Sequence, residues 1–236
     1  MIDWVKQIKN VPLKSVYSQF GEESIFDYIF SKIGTNKFLV DLGAGGLGSK
    51  MSNTQYLIEN GWNGLRVDGE QDPNRDIKQE FITAENIVEI FEKYKTTKDI
   101  DLLSIDLDGN DFWILKSLLD GGYSPRVIIN EFNGCLSEGV IQIMKNNPSH
   151  TWGENDYYGA SFEAFKFLLE DYTLVHQVAT TNMIFIRKDI VAKEDYGITY
   201  VRNQYHGHSP NREWIIIKKE DIELANSIYK TYIVKQ

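Results

Sequence analysis

Short runs of apolar residues alternate along the chain with segments in which apolar residues recur every three to four positions. The runs indicate strands buried on both faces of a sheet, and the wider spacing indicates helices that cover it. Strands are predicted within residues 37–42, 64–67, 80–86, 101–106 and 126–131. The pattern therefore predicts five successive strand–helix units.

Two further apolar runs, residues 173–178 and 183–187, lie close enough together to form a β-hairpin. Parallel strands joined by helices require a sheet covered on both faces, and a hairpin at the end adds antiparallel pairing. The predicted fold is α/β and Rossmann-like. Its mostly parallel seven-stranded sheet ends in a C-terminal antiparallel hairpin, the arrangement of the class I methyltransferase fold.

The pattern also divides the chain into three segments. Residues 1–36 are expected to form two N-terminal helices, with Ser18 and Glu22 capping the second, or alternatively to fold over the core as a lid. Residues 37–188 form the core, including a long irregular segment at 135–158 of the kind that is often functional. Residues 189–236 form a C-terminal extension with a short strand at 214–217 and a helix near 221–232.

A glycine-rich loop follows the first strand. Gly43, Gly45 and Gly48 fit the spacing G-x-G-x-x-G, which lets backbone N–H groups approach a bound nucleotide. Asp68 and Glu70 follow the second strand, where an acid meets the ribose hydroxyls in nucleotide-binding folds. Between them, residues 52–55 have the form of a capping box, so a helix is expected to begin near residue 52.

A second polar group follows the fourth and fifth strands. Asp106, Asp108, Glu131 and Asn133 should meet at one edge of the sheet, because neighbouring parallel strands end side by side. An all-oxygen set of this kind suits Mg2+ or Mn2+. The alternative is that Asp108 and Asp111 cap the following helix and that Glu131 binds a substrate hydroxyl.

Histidines in the irregular segments are candidate general bases, namely His150, His206 and His208. Cys135 is the single cysteine, which excludes an internal disulfide framework and makes a cytoplasmic location the default. A net charge of -9 argues against a general nucleic-acid binder. No apolar run is long enough to predict a membrane span.

Several segments together resemble a known family. Asp41-Leu42-Gly43-Ala44-Gly45 resembles the first motif of class I S-adenosylmethionine-dependent methyltransferases. The further segments are Ser18-Gln19-Phe20-Gly21-Glu22, Ser52-Asn53-Thr54, Gly61-Trp62-Asn63-Gly64-Leu65, Ser104-Ile105-Asp106-Leu107-Asp108-Gly109-Asn110-Asp111, Glu131-Phe132-Asn133 and Tyr158-Gly159-Ala160-Ser161. Over roughly residues 17–188 the chain resembles the FkbM-type methyltransferases, several of which modify surface polysaccharides.

The resemblance implies S-adenosyl-L-methionine as cofactor and a set of residues to hold it. Asp41, Gly43 and Gly45 are expected at its methionine end, and Asp68 or Glu70 at its ribose. Ala84 and Glu85 are expected beside the adenine, and the remaining cofactor-binding candidates are Gln19, Ser52, Asn53 and Asp106. The metal ligands proposed above resemble those of catechol-type O-methyltransferases. Asp106, Asp108, Glu131 and His150 are the catalytic candidates.

The resemblance also implies a reaction, the O-methylation of a small polar acceptor. The expected acceptors are a sugar, a nucleotide-sugar or a phosphoramidate precursor of surface or capsular polysaccharide, and a homodimer is allowed for. An NAD-dependent oxidoreductase is the rival enzyme, because the glycine spacing and Asp68 would serve it too, although the residues after Gly48 are polar where that fold needs close helix packing. A non-catalytic nucleotide-binding or glycan-binding module is the third alternative.

Overall fold

The computed structural model describes residues 3–46, 48–191, 195–203 and 213–217. The predicted helix near 221–232 and the histidines His206 and His208 lie outside these residues. Within the described part of the chain, no helix is long and apolar enough to cross a membrane.

The main sheet has seven strands and confirms the predicted Rossmann-like fold. In chain order the strands of the protein are β1 (Phe38–Leu42), β2 (Asn63–Asp68), β3 (Ile77–Gln79), β4 (Leu102–Ile105), β5 (Val127–Glu131), β6 (Ile141–Met144), β7 (Tyr172–Val178), β8 (Asn182–Arg187) and β9 (Trp214–Ile217). The sheet order is β3-β2-β1-β4-β5-β8-β7. β1 to β5 are parallel, and β8 is antiparallel to both of its neighbours, β5 and β7.

Helices cover both faces of this sheet. They are α1 (Glu22–Ile33), α2 (Gln55–Glu59), α3 (Ile87–Lys93), α4 (Asp111–Asp120) and α5 (Phe162–Leu168), with 3-10 helices at Trp4–Asn10 and Pro73–Arg75. The N-terminal 3-10 helix, α1 and α2 pack on one face, and α3, α4 and α5 pack on the other. In β4, Leu102 packs in the core on the side of α1 and α2, and Leu103 packs in the core on the side of α3, α4 and α5. Both faces of the central strands are therefore buried, which explains why these strands are continuous apolar runs.

The N-terminal segment confirms the expected capping. The Ser18 hydroxyl accepts hydrogen bonds from the N–H groups of Gly21 (3.1 Å) and Glu22 (2.9 Å). The segment is also tied to the glycine-loop side of the sheet, because the Ser52 N–H donates to the Tyr17 carbonyl over 3.1 Å. Residues near position 19 are therefore held beside the ends of the central strands.

Two predicted boundaries were wrong. The third strand occupies Ile77–Gln79 and not residues 80–86, because the tight turn at Pro73–Arg75 returns the chain to the sheet early. Helix α2 begins at Gln55 and not near Ser52. The Ser52 hydroxyl accepts from the Gln55 N–H over 3.1 Å, as in a capping box, but the Gln55 side chain bonds instead to Glu59 and Arg66.

The segment predicted to be irregular, residues 135–158, contains a strand. β6 pairs with β9 in a second, two-stranded antiparallel sheet, with Ile141 opposite Ile217 and Met144 opposite Trp214. The strand at 214–217 was predicted, but its partner was not. The two lie far apart in sequence, so no local pattern signals their pairing.

The order of strands reverses between β1 and β4, and the backbone there is in very close contact. Gly43 follows β1 with a φ of 85°. A Cβ at this position would lie 1.7 Å from the carbonyl oxygen of Asp106, which follows β4. Only glycine allows the two loops to approach this closely.

We therefore expect Gly43→Ala to lower the free energy of unfolding by roughly 3 kcal/mol or more, because backbone must move to relieve the clash. Gly48→Ala is the matched control, since Gly48 has a φ of 87° and open space around it. Its cost should be about 1 kcal/mol, from the backbone conformation alone. Urea unfolding of the two variants measures the difference, and equal losses would contradict the close approach.

Candidate functional site

A cavity of about 600 Å3 lies at the carboxyl ends of β1, β2 and β4, where the strand order reverses. This is the position at which open α/β sheets bind ligands, and the volume suits a small molecule. Nine of the predicted site residues line it, namely Gln19, Gly43, Gly45, Ser52, Asn53, Asp68, Asp106, Asp108 and His150. The sequence thus predicted a large part of the cavity wall.

The glycine loop is held in place by Asp68. One carboxylate oxygen accepts from the Gly45 N–H (3.0 Å) and the other from the Glu70 N–H (3.1 Å). Each carboxylate oxygen has more than one acceptor position, so Asp68 retains the capacity to bind a ligand hydroxyl. Glu70 itself is exposed and does not line the cavity, so the prediction that it contacts the ribose is not supported.

Arg75 also holds the glycine loop, a role that the sequence did not predict. Its guanidinium donates to the carbonyls of Gly45 and Gly46, the latter over 2.8 Å, and pairs with Asp72 at 2.7 Å. The guanidinium is therefore engaged by the loop backbone and by a carboxylate. The turn sequence before β3 carried no signal for this contact, which depends on the paths of two separate loops.

Asp41 does not reach the cavity, contrary to its predicted role at the cofactor. It is 2% exposed and accepts a hydrogen bond of 2.6 Å from the Thr54 hydroxyl. Burial raises the pKa of this carboxyl, and the Thr54 hydroxyl opposes that shift. Asp41 instead positions residues 52–54, two of which line the cavity, and so acts on the site through its wall.

The structure places the predicted adenine contacts, Ala84 and Glu85, outside the cavity lining. Neither lines the cavity, and Glu85 is exposed with its carboxylate bonded to the Asn146 side chain over 2.6 Å. Because β3 ends at Gln79, the residues that come to the cavity are Glu80, Phe81 and Ile82. Phe81 is 57% exposed, so this wall offers an aromatic ring to a ligand.

Three carboxylates lie together where β4 and β5 end, and two of them, Asp106 and Asp108, line the cavity, whereas Glu131 does not. Asp106, Asp108 and Glu131 each offer one oxygen to a group in which all oxygens lie within 4.8 Å of one another. One oxygen of Glu131, Oε2, is buried without a hydrogen-bond partner among the described residues. The arrangement fits a divalent cation with oxygen ligands, and its donor chemistry suits Mg2+ or Mn2+.

Repulsion among the three carboxylates favours the binding of a proton or a cation. Burial, followed by the neighbouring carboxylates, raises the pKa of Asp106 and of Glu131 well above the ordinary range. Burial and the nearby Asp111 raise the pKa of Asp108 to about 6. Like charges held this close in a partly buried site favour the neutral or metal-bound forms.

Asp111 and Asn133 maintain the fold around these carboxylates. Asp111 is 1% exposed and accepts from the N–H groups of Leu107 (2.8 Å) and Gly109 (2.9 Å), both in the loop before α4, so it holds this loop in place and does not act as the predicted helix cap. The Asn133 amide donates to the carbonyls of Asp156 and Tyr158 and accepts from the Cys135 N–H. With both ends of its side chain bonded to backbone, Asn133 has a structural role in place of the predicted metal-binding one.

His150 lies on the loop that forms the outer wall. Its Nε2 is buried without a partner among the described residues. A Cβ on Gly109 would lie 2.8 Å from the ring, so that glycine provides the space for it. Burial lowers the pKa of His150, which keeps the imidazole neutral and able to accept a proton near pH 7.

The lining is strongly acidic. Asp68, Glu80, Asp106 and Asp108 line the cavity, and no described lysine or arginine does. The chain matches no known family model, and no curated protein matches it significantly. The fold, the geometry and this charge therefore carry the functional argument.

The raised pKa of Asp108 predicts how the stability of the protein depends on pH. Its folded-state pKa is raised, so its ionisation destabilises the folded protein as the pH rises from the ordinary value of 3.8 through about 6. We expect Asp108→Asn to stabilise the metal-free protein at pH 7.5 by roughly 1–2 kcal/mol after allowance for solvent screening, and hardly at all at pH 4. Asparagine tolerates the φ of 52° at this position.

Thermal unfolding across this pH range measures the effect, with the exposed Asp171→Asn as the control. Addition of Mn2+ should raise the melting temperature of the native chain more than that of Asp108→Asn. A pH-independent change in Asp108→Asn, with equal Mn2+ responses, would argue against the acidic cluster as described.

Proposed function

We propose that the chain is an S-adenosylmethionine-dependent O-methyltransferase that acts on a small polar acceptor. The observation that carries the proposal is the charge of the cavity at the switch point of the sheet, which is lined by four carboxylates and by no described lysine or arginine. S-adenosylmethionine bears a positive sulfonium and a positive ammonium group, both of which an acidic cavity attracts.

The residues that would hold this cofactor follow the path of the cavity. Gly43 and Gly45, which line the cavity, would let backbone approach the methionine end, and Asp68 would offer oxygens to the ribose hydroxyls. Phe81 and Ile82 offer an apolar surface to the adenine, in place of Ala84 and Glu85. The resemblance of Asp41-Leu42-Gly43-Ala44-Gly45 to the first methyltransferase motif supports the same placement, with Asp41 acting indirectly through Thr54.

The NAD-dependent oxidoreductase is supported less well. A dinucleotide places its pyrophosphate at the N-terminus of a helix that directly follows the glycine loop. Here α2 begins only at Gln55, well beyond Gly45, and spans five residues. The acidic lining would also repel the two phosphates. Only an assay of turnover distinguishes the methyltransferase from a non-catalytic binding module.

The chemistry requires positioning and removal of one proton. When bound, S-adenosylmethionine would supply an electrophilic methyl group for transfer from its sulfur to the acceptor oxygen. The acidic cluster would hold the acceptor hydroxyl, and His150 would take its proton at Nε2. Orientation in a pocket shielded from water accounts for much of the acceleration in such a displacement.

A divalent cation would complete this arrangement. Asp106, Asp108 and Glu131 would hold Mg2+ or Mn2+, which would neutralise the cluster and lower the pKa of a bound hydroxyl. This interpretation accounts for the buried, unpartnered Glu131 oxygen. Asn133 is not part of it.

The acidic lining also ranks the predicted acceptors. A neutral sugar can donate its hydroxyls to the carboxylates and place an apolar ring face on Trp152, which lines the cavity and is 39% exposed. A nucleotide-sugar or a phosphoramidate is anionic and would need the bound cation to enter. A sugar precursor of surface polysaccharide is thus the favoured acceptor, while the cytoplasmic location and the homodimer stay predictions.

Calorimetry tests the cofactor. We expect S-adenosylhomocysteine to bind and NAD not to bind. Asp68→Asn should weaken S-adenosylhomocysteine binding about tenfold or more, because it removes a charged acceptor at the ribose. The exposed Glu70→Gln should leave the affinity within about twofold, as for other exposed charges. NAD binding, with no S-adenosylhomocysteine binding, would overturn the assignment.

Turnover with a labelled methyl donor tests the reaction and the acceptor class. We expect label to enter neutral sugars in a panel that also contains nucleotide-sugars and phosphoramidates, and chelation of divalent metals to abolish transfer. His150→Ala should slow transfer by about a hundredfold while leaving S-adenosylhomocysteine binding intact. Transfer at full rate to phosphorylated acceptors in the presence of a chelator would contradict both the metal and the charge argument.

A further inference from the structure

The outer wall of the cavity is formed by the loop between β6 and α5. Pro148, His150, Thr151 and Trp152 line the cavity from this loop. In the middle of the loop, the Trp152 indole donates a hydrogen bond of 2.8 Å to the nearby Asn155 carbonyl; the contacts with distant segments include those near the two ends of the loop. The position of the wall must therefore be set where the loop begins and ends.

Asn110 holds the early part of this loop against the segment that follows β4. Its side chain donates to the Asn147 carbonyl over 2.7 Å and accepts from the Asn147 N–H over 3.1 Å. Further along, the Gly159 N–H donates to the Gly109 carbonyl over 2.8 Å. These bonds tie the loop to the segment after β4 that carries Asp106 and Asp108.

β9, in the C-terminal extension, sets the outer side at the start of the loop. Met144 pairs with Trp214, and the Lys145 N–H donates to the Glu213 carbonyl over 2.9 Å. Lys145 and Glu213 also form an ion pair of 2.7 Å, but both side chains are exposed. The ion pair contributes little, so the backbone contacts set this end.

β9 also contacts the loop where it ends. The Tyr157 hydroxyl donates to the same Glu213 carbonyl over 2.9 Å. The Tyr157 ring meets Trp214 edge to face, with centroids 5.0 Å apart, and meets His150 edge to face at 5.8 Å. Trp214, Tyr157 and His150 thus form a continuous series of ring contacts from the C-terminal extension to the cavity.

We propose that β9 and the residue before it are a positioning element of the site: Glu213 and Trp214 fix Tyr157, and Tyr157 fixes His150 and the outer wall. The inference deepens the proposed function and rests on it only for the identity of the ligands. The wall faces the acceptor end, whereas the glycine loop is held by Asp68 and Arg75. Loss of the β9 contacts should therefore impair acceptor use and spare cofactor binding.

Trp214→Ala removes the ring contact, and Trp214→Phe retains an aromatic edge and should rescue it. Ile216→Ala is the matched control, because Ile216 lies on the same strand and is 59% exposed. Fluorine NMR of the 5-fluorotryptophan-labelled full chain reports on the wall through Trp152, whose resonance is assigned with Trp152→Phe. Calorimetry with S-adenosylhomocysteine reports on the cofactor side.

We expect Trp214→Ala to shift or broaden the Trp152 resonance, and Trp214→Phe and Ile216→Ala to leave it unchanged. S-adenosylhomocysteine affinity should stay within about twofold, since the two ends are held by separate contacts. Methyl transfer to the sugar panel should fall about tenfold or more, in kcat as well as in KM, because the wall carries both the base His150 and the acceptor contact Trp152. An unchanged Trp152 resonance in folded Trp214→Ala would overturn the proposal.

The failure of the proposed function gives a different result. In that case the native chain would bind no S-adenosylhomocysteine, whereas the Trp152 resonance would still respond to Trp214→Ala. If Ile216→Ala perturbed the Trp152 resonance as strongly as Trp214→Ala, the ring contacts would not be the cause. The proposal for β9 would then be wrong, whatever the function of the protein.

Discussion

The close approach of two backbone segments at the centre of the sheet determines where everything else lies. Gly43, after β1, faces the carbonyl of Asp106, after β4, at a distance that leaves no room for a side chain. The contact brings the glycine loop and the acidic cluster to the same point of the sheet edge. A ligand held by the first therefore meets the functional groups of the second.

Charge is the second constraint, and it opposes stability. The fold brings Asp106, Asp108 and Glu131 together in a partly buried site, with Asp111 close behind them. Such an arrangement is unfavourable for an isolated fold and is typical of sites that bind a cation or move a proton. The backbone supports it locally, since Asp111 accepts two N–H groups of the loop that carries Asp108.

The sequence predicted what local patterns encode. The alternation of apolar runs and helical spacing was enough for the main sheet, because Leu102 and Leu103 each face a covered side. The glycine spacing and the polar strand ends placed Gly43, Asp68 and Asp106 at one edge. The features that the sequence did not predict depend on contacts between distant segments, and such contacts leave no periodic signal in the sequence.

Individual residues show the same limit. Asp41 matches a motif and lies near the end of the predicted strand, yet it does not line the cavity, and its carboxylate accepts a hydrogen bond from Thr54. Ala84 and Glu85 lie outside the cavity lining because β3 begins at Ile77 and not at residue 80, so Phe81 lies at the cavity instead. Arg75 and β6 act through partners that only the folded chain brings near.

The second sheet has two strands and is far smaller than the main one. A two-stranded ladder is marginal by itself and opens at a lower free energy than a sheet of seven strands. Amide protons in β6 and β9 should thus exchange with solvent faster than those in β1 and β4. Local opening of this small ladder would loosen the outer wall of the cavity while the main sheet stays intact.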